Sequence, residues 1–439
     1  MAVVLRRRAP LLAAAFALVA AVVALVLVLR HGGDETKRSP AQGEPLAYVP
    51  AAGGDFVFDV DTREPLLALA VEELVPRVTR GAVSAAQVHP LLGRRAVVET
   101  QHGKTWLAFA TDQDAPRPGK GAAAAKRDSV VVVAPSQQDL RSALNAARGP
   151  AARYARSTFD KRFAGLPARS SARVAFDPQT LIEQRAPKLA GTKWARSLRD
   201  GAAVLTASGS ELRVPFKVSA DPVGLTPDDL PIATGATAPQ ARGNAPLTIG
   251  VRDPAHTLGF ARAAGLLPAL DFVDDLPGLV RPNLGDLGPN GTITSASPSD
   301  LSHLTLRSEP PDPGDWSRKL SLINTIGDIA KRVGGSGFGI EHRGSDYAFR
   351  QDGEVVARAA VYGNALVLSN DPKANLQRAA VAPAAPTPNG AAGALTARLR
   401  SSALATQIPA LVRARLGDLT VWARAELTGV TGELRLALR

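Results

Sequence analysis

The chain has 439 residues, a length that suggests two or three domains of about 150 residues each. Hydrophobic residues make up 45% and charged residues 21%, which excludes wholesale disorder. Cysteine is absent and there are one Met and six His. That excludes disulfides, cysteine nucleophiles and a lipid-bearing cysteine, and leaves few soft metal ligands, so no cofactor is expected.

The chain opens with Arg6, Arg7 and Arg8, followed by a run from Leu11 to Leu29 without a polar side chain. As a helix this run would span roughly 28 Å, close to the ~30 Å hydrocarbon core of a bilayer. Arg30 and His31 bound its far end. A cleaved signal peptide is the competing reading. It calls for a shorter apolar stretch and a small-x-small cleavage site, and the best candidate, Ser39-Pro40-Ala41, lies well past the apolar end. The expectation is therefore an uncleaved single-pass anchor over residues 1–30. Its arginines stay cytoplasmic and the bulk of the chain is extracytoplasmic, partnered with the lipid bilayer.

The net charge is +12, of which Arg6, Arg7, Arg8 and Arg30 supply four, leaving +8 for residues 31–439. Arg outnumbers Lys 41 to 11, a bias that matches GC-rich codon usage and makes the basic balance weak evidence for a polyanion. An extracytoplasmic location points to anionic lipid or wall polymer as the partner, not nucleic acid.

Residues 31–45 are polar and read as a flexible tether. The stretch 227–246 is rich in turn formers and reads as a linker between a first repeat, 46–226, and a second, 247–439. The two repeats echo each other in order. FVFDVDTREPLLAL at 56–69 answers LTIGVRDPAHTLGF at 247–260, and VETQHGKTWLAF at 98–109 answers IEHRGSDYAF at 340–349. Next, VVVVAPSQQDLRSALNAA answers ALVLSNDPKANLQRAA, and VAFDPQTL at 174–181 answers ARLRSSAL at 397–404. GSELRVPF at 209–216 finally answers TGELRLAL at 431–438. The shifts run from 192 to about 240 residues, as expected for a duplication with an insertion early in the second copy.

Local patterns supply the elements. From Pro65, Leu67, Ala70, Val71, Leu74, Val75 and Val78 recur at helical spacing. Ser136 with Asp139 makes a helix start, and Asp371 before Pro372 makes another. Leu212, Val214 and Phe216, and later Leu434, Leu436 and Leu438, alternate with polar residues, as in an antiparallel sheet with one dry face. The expected fold class is α+β. Two tandem related halves, each a mostly antiparallel sheet with helices on one face, follow one N-terminal transmembrane helix.

The N-terminal anchor, the segment Tyr48-Val49-Pro50-Ala51 and the acid-bearing strand Phe56–Asp61 together resemble the bacterial envelope proteins catalogued as domain of unknown function 3352. Where that family reads Pro-Ala-Asp, this chain places Ala52-Gly53-Gly54 before Asp55. The resemblance implies an envelope location and this fold, with no established activity and no functional residue to carry over.

No constellation for catalysis stands out. Gly334-Gly335-Ser336-Gly337-Phe338-Gly339 fits no phosphate-binding or nucleophile motif and reads as a helix end and turn. Ser336, His342 and Asp346 have the residue types of a triad without its spacing. His342 and His102 read as equivalent hairpin residues. Asp271, Asp274 and Asp275 fit no calcium loop and read as surface acids. Asp59 and Asp61 share the side of their strand opposite Phe56, Phe58 and Val60, expected to be a wet face. The one candidate binding face is Trp422 with Arg424 and Arg435, where an exposed indole beside guanidiniums could grip an anionic headgroup or sugar. These features point to a non-catalytic binding or scaffold protein at the cell envelope. The alternative is a carrier for an apolar or anionic envelope molecule, with an envelope hydrolase behind it.

Overall fold

The computed structural model describes residues 43–438 apart from 52, 150, 209, 266–283, 297–302, 333–337, 388 and 405–415. The expected anchor Leu11–Leu29, the tether as far as residue 42, Asp271, Asp274, Asp275 and Ser336 lie outside the described residues. Among the described residues no helix is long and apolar enough to cross a membrane.

The chain is α+β, with extensive antiparallel sheet and helices. It divides into two compact units. The N-terminal unit takes the described residues through Arg185 together with Leu198–Ser219. The C-terminal unit takes Ala186–Ser197 and the chain from Ala220 onward. Residues 186–197 thus group with the later part of the sequence, not with the first repeat.

The N-terminal unit holds β1 (Phe56–Asp61), β2 (Arg95–Gln101), β3 (Lys104–Ala110), β4 (Ala123–Arg127), β5 (Val130–Ala134), β6 (Ala172–Phe176), β7 (Leu198–Ser208) and β8 (Glu211–Ala220). The first seven pair antiparallel in the order β4–β5–β3–β2–β1–β6–β7. In β8, Ser219 and Arg213 hydrogen-bond to Asp200 and Thr206 of β7. His102 and Gly103, both at positive φ, make the two-residue turn between β2 and β3, a geometry that matches the twist of a hairpin. The Asp55 carboxylate accepts the His102 N–H at 2.8 Å.

Helices α1 (Pro65–Val78) and α2 (Gln137–Ala146) start as their sequences direct. Pro65 opens α1, and the Ser136 hydroxyl accepts the Asp139 N–H at the start of α2. One face of the sheet presents Val57, Val97, Ala175 and Val204 to α3 (Arg156–Arg162) through Phe159 and Phe163. On the same face Trp106, Ala108 and Val132 meet Tyr48 and the Leu140 side of α2. The opposite face is buried too: Val60, Leu107, Phe109, Val131 and Val133 are fully covered, and α1 packs on β1 and β3. The expectation of helices on one face is corrected. A five-residue all-apolar strand such as Val130–Ala134 has two apolar faces to cover, whereas β8 and β18 alternate.

The C-terminal unit holds β9 (Leu247–Arg252), β10 (Asn290–Ser295), β11 (Thr305–Ser308), β12 (Phe338–Arg343), β13 (Asp346–Gln351), β14 (Glu354–Tyr362), β15 (Ala365–Ser369), β16 (Leu395–Leu399), β17 (Leu416–Glu426) and β18 (Gly429–Leu438). They pair antiparallel in the order β12–β13–β14–β15–β11–β10–β9–β16–β17–β18. Its helices include α4 (Pro254–Ala263), α5 (Pro313–Arg332) and α6 (Leu376–Ala380). Trp316 and Leu320 of α5 cover Leu306, Leu366 and Phe349 on one face, and Leu376 and Ala380 of α6 cover Ala360 and Val367 on the other. Asn375, not Asp371, caps α6; the Asp371 carboxylate accepts the Lys373 N–H in the preceding turn. Residues 227–246, expected as a linker, are packed into this unit, with Leu230 and Ile232 buried and Thr396 Oγ1 donating to the Pro239 carbonyl.

Candidate functional site

Asp59 lies on β1 between Val57 and Asp61, on the face that carries Arg95 and Val97 of β2 and Arg173 of β6. That face was expected to be wet. Asp59 is instead 3% exposed, because the segment from Gly43 to Val49 and helix α3 lie over this face. A buried carboxylate needs partners, and it has two. Arg95 donates through Nε at 3.1 Å to one oxygen and through Nη2 to the other. Arg156 Nη1 donates at 3.3 Å.

The network extends in both directions. Arg156 Nε also faces Asp160 at 3.6 Å, and Arg173 Nη1 donates to Asp160 at 2.8 Å while its guanidinium rests over the Phe163 ring. On the other side Arg63 donates to both oxygens of Asp61. Burial pulls the Asp61 carboxyl up, but the Arg63 hydrogen bonds and the charges of Arg63 and Arg95 outweigh it and hold it below the ordinary carboxylate range.

Two cavities share Asp59, Arg94 and Arg95, one of about 440 Å³ reaching Gly43–Leu46 and Arg156, the other of about 280 Å³ reaching Arg63 and Arg173. Together they form an arginine-lined groove. Its lining carries five arginines, at positions 63, 94, 95, 156 and 173, against the carboxylates of Glu44, Asp59 and Asp61. With Asp160 added at the edge, one positive charge remains uncompensated. Arg94 is exposed and makes no ion pair among the described residues. The arrangement suits an anion: pre-oriented guanidiniums, held by the buried Asp59 and the partly exposed Asp61 and Asp160, at an open pocket.

Among the described residues no cluster of three or more His, Asp or Glu is placed to hold a metal ion. His342 and Asp346 lie on neighbouring strands without a bond between them. His342 stacks on Tyr347 at 4.4 Å, and Asp346 accepts hydrogen bonds from Arg358 and from Tyr362, whose hydroxyl it pushes up to about 12. His102 occupies a turn and His342 a strand, so the two are not equivalent.

Trp422, Arg424 and Arg435 share one face of the β17–β18 hairpin, as the alternation predicts, with Trp422 opposite Glu433 and Thr420 opposite Arg435. The face is not open, however. Trp422 is only partly exposed and its Nε1 is buried without a hydrogen-bond partner among the described residues. Arg435 is tied to Glu433 with 12% of its side chain exposed, and Arg424 pairs with Glu426 at 2.6 Å. Both guanidiniums of this face thus have a carboxylate neighbour, and the indole beside them is half-covered.

The sequence pointed to Asp59 and Asp61 but not to the arginines around them. Those come from four separate places in the chain, and only the Arg94-Arg95 pair at the start of β2 is visible locally.

No family model matches the chain, and no curated protein matches it significantly. Among solved structures, three crystal forms of TP0453 align in part. Form I has 11% identity and a TM-score of 0.29 over 42% of this chain and 82% of that one. Form III has 11% identity and a TM-score of 0.28 over 42% and 83%. Form IV has 12% identity and a TM-score of 0.26 over 40% and 80%.

Proposed function

We propose that the chain is a membrane-tethered, extracytoplasmic binding protein without catalysis, built from two tandem copies of one α+β unit, and that the arginine-lined groove of the first copy takes an anionic envelope molecule. The observation that carries the binding reading is Arg94, an uncompensated guanidinium at a groove whose other arginines are already oriented by Asp59, Asp61 and Asp160. The apolar run Leu11–Leu29 behind three arginines supports the tether, and the resemblance to the envelope family of domain of unknown function 3352 belongs to the same reading.

Strand order supports the duplication. The path β4–β5–β3–β2–β1–β6–β7 is repeated as β14–β15–β11–β10–β9–β16–β17. A helix follows β1 and β9, and another follows β5 and β15. The second copy adds α5 and the β12–β13 hairpin between the strands equivalent to β3 and β4. On this alignment the likeness between VETQHGKTWLAF and IEHRGSDYAF joins an original hairpin to an added one, while the other four echoes fall on equivalent elements. The position equivalent to Asp59 is Gly250. A Cβ there would stand 2.7 Å from Thr396 Oγ1 and 3.0 Å from the Ala241 Cβ, so no carboxylate fits and the groove belongs to the first copy alone.

Two measurements test the reading. Protease added to intact cells is expected to digest everything after Arg30; mature chain beginning near residue 42 and free in the medium would overturn the tether. Titration of the full chain with soluble polyphosphate, a generic polyanion, is expected to show saturable binding that weakens at least fivefold in Arg94→Ala. Binding that ignores Arg94 would overturn the groove as the site.

A further inference from the structure

We infer that the groove's ligand is the phosphate of an anionic phospholipid headgroup in the same membrane that anchors the chain. This rests on the anion-binding reading above and names its ligand. The free donors favour a tetrahedral oxyanion. Arg95 spends Nε and Nη2 on Asp59, leaving Nη1. Arg156 spends Nη1 on Asp59 and Nε on Asp160, leaving Nη2. Arg63 spends Nε and Nη2 on Asp61, leaving Nη1. Arg94 keeps its whole fork. One intact fork saturates a planar carboxylate, whereas a phosphate can accept from that fork and from further single N–H donors spread around it. No lysine lines the groove, so each cationic group offers directional donors in a fixed plane.

The chain's own path supplies the source. Gly43, Glu44, Pro45 and Leu46 line the larger cavity. Twelve residues, 31–42, separate them from Arg30 at the end of the apolar run. Fully extended they reach about 45 Å, so the groove is confined to a shell next to the bilayer surface, where headgroup phosphates are concentrated. A volume of about 440 Å³ is within the range that holds a small polar headgroup.

The test uses the full chain with an environment-sensitive dye on Ala168→Cys, an exposed lining residue in a protein with no other cysteine. The protein is placed in phosphatidylcholine nanodiscs, in nanodiscs with rising phosphatidylglycerol, and in phosphatidylcholine nanodiscs with inorganic phosphate. The expected result is a saturable dye shift with phosphatidylglycerol only. Its midpoint should rise at least threefold in Arg94→Ala and stay put in Arg424→Ala, whose exposed arginine is already paired elsewhere. An equal shift with inorganic phosphate overturns the lipid source and leaves the groove an anion site. A phosphatidylglycerol shift indifferent to Arg94 overturns the groove as the lipid site. No shift in any arm, with polyphosphate also unbound, overturns the anion-binding reading as well.

Discussion

Gly54 lies directly against Glu99: a methyl group on its Cα would stand 2.8 Å from Glu99 Cγ and 3.0 Å from Oε1. Glu99 is fully buried on β2, opposite Val57 and Trp106, and neither carboxyl oxygen has a hydrogen-bond partner among the described residues. Burial, with a smaller contribution from the Asp55 charge, pushes its pKa up to about 9. The group is therefore a neutral acid in the folded protein at pH 7.

That pKa has a consequence for stability. In the unfolded chain a glutamate loses its proton near pH 4.3, whereas the folded protein keeps it to about 9. Across that window the folded state binds the extra proton, so stability falls as pH rises and levels off above about 9. Glu99→Gln removes the proton while keeping the shape. The expected outcome is a urea midpoint that declines less between pH 5 and pH 9 than in the parent, with the variant the more stable of the two at the alkaline end. Parallel pH profiles would show that Glu99 is ionised in the fold.

Gly54 itself has no room for a side chain, since the same methyl group would lie 2.6 Å from the Thr100 carbonyl oxygen, a backbone atom that cannot swing away. Gly54→Ala is expected to cost about 2 kcal/mol, a typical penalty for overpacking a buried site. Gly81→Ala is a useful contrast: a methyl there meets nothing within 4 Å, and only its positive φ resists the change. It should cost about 1 kcal/mol. Chemical denaturation of both variants checks the order.

Much of the fold was legible. The helical spacing after Pro65, the Ser136 cap and the alternation of the last strands all follow local rules that tertiary packing leaves intact. Asp59 was not legible. Its alternation with Phe58 and Val60 gives the correct face, but whether that face is wet depends on Gly43–Val49 and α3, which arrive from distant parts of the chain. The cover on Trp422 is of the same kind: it lies opposite Glu433, which is paired with Arg435, on a half-covered face. Asp371 with Pro372 looked like a helix start, yet the chain makes one more turn before Asn375 takes that role.

Asp59 can be tested apart from any ligand. Asp59→Ala leaves Arg95 and Arg156 without the carboxylate that orients them. Breaking a fully buried pair costs about 3–5 kcal/mol, and partial exposure of both arginines reduces that here to about 2 kcal/mol. Asp59→Asn retains a hydrogen-bond acceptor and should lose less. Equal stability of Asp59→Ala and the parent in urea would mean that solvent, not Asp59, holds the two guanidiniums.

Trp422 and Arg424 separate a structural role from a binding one. Truncating a largely buried indole removes apolar contact and leaves a void beside Thr396, its partner across β16, so Trp422→Ala is expected to cost about 3 kcal/mol. Arg424 is 44% exposed and its pair with Glu426 lies at the surface, where such pairs contribute about 0–1 kcal/mol. Arg424→Ala should therefore shift the urea midpoint little and leave polyphosphate binding unchanged. If instead it abolished binding while the fold stayed intact, the β17–β18 hairpin and not the groove around Asp59 would be the anion site.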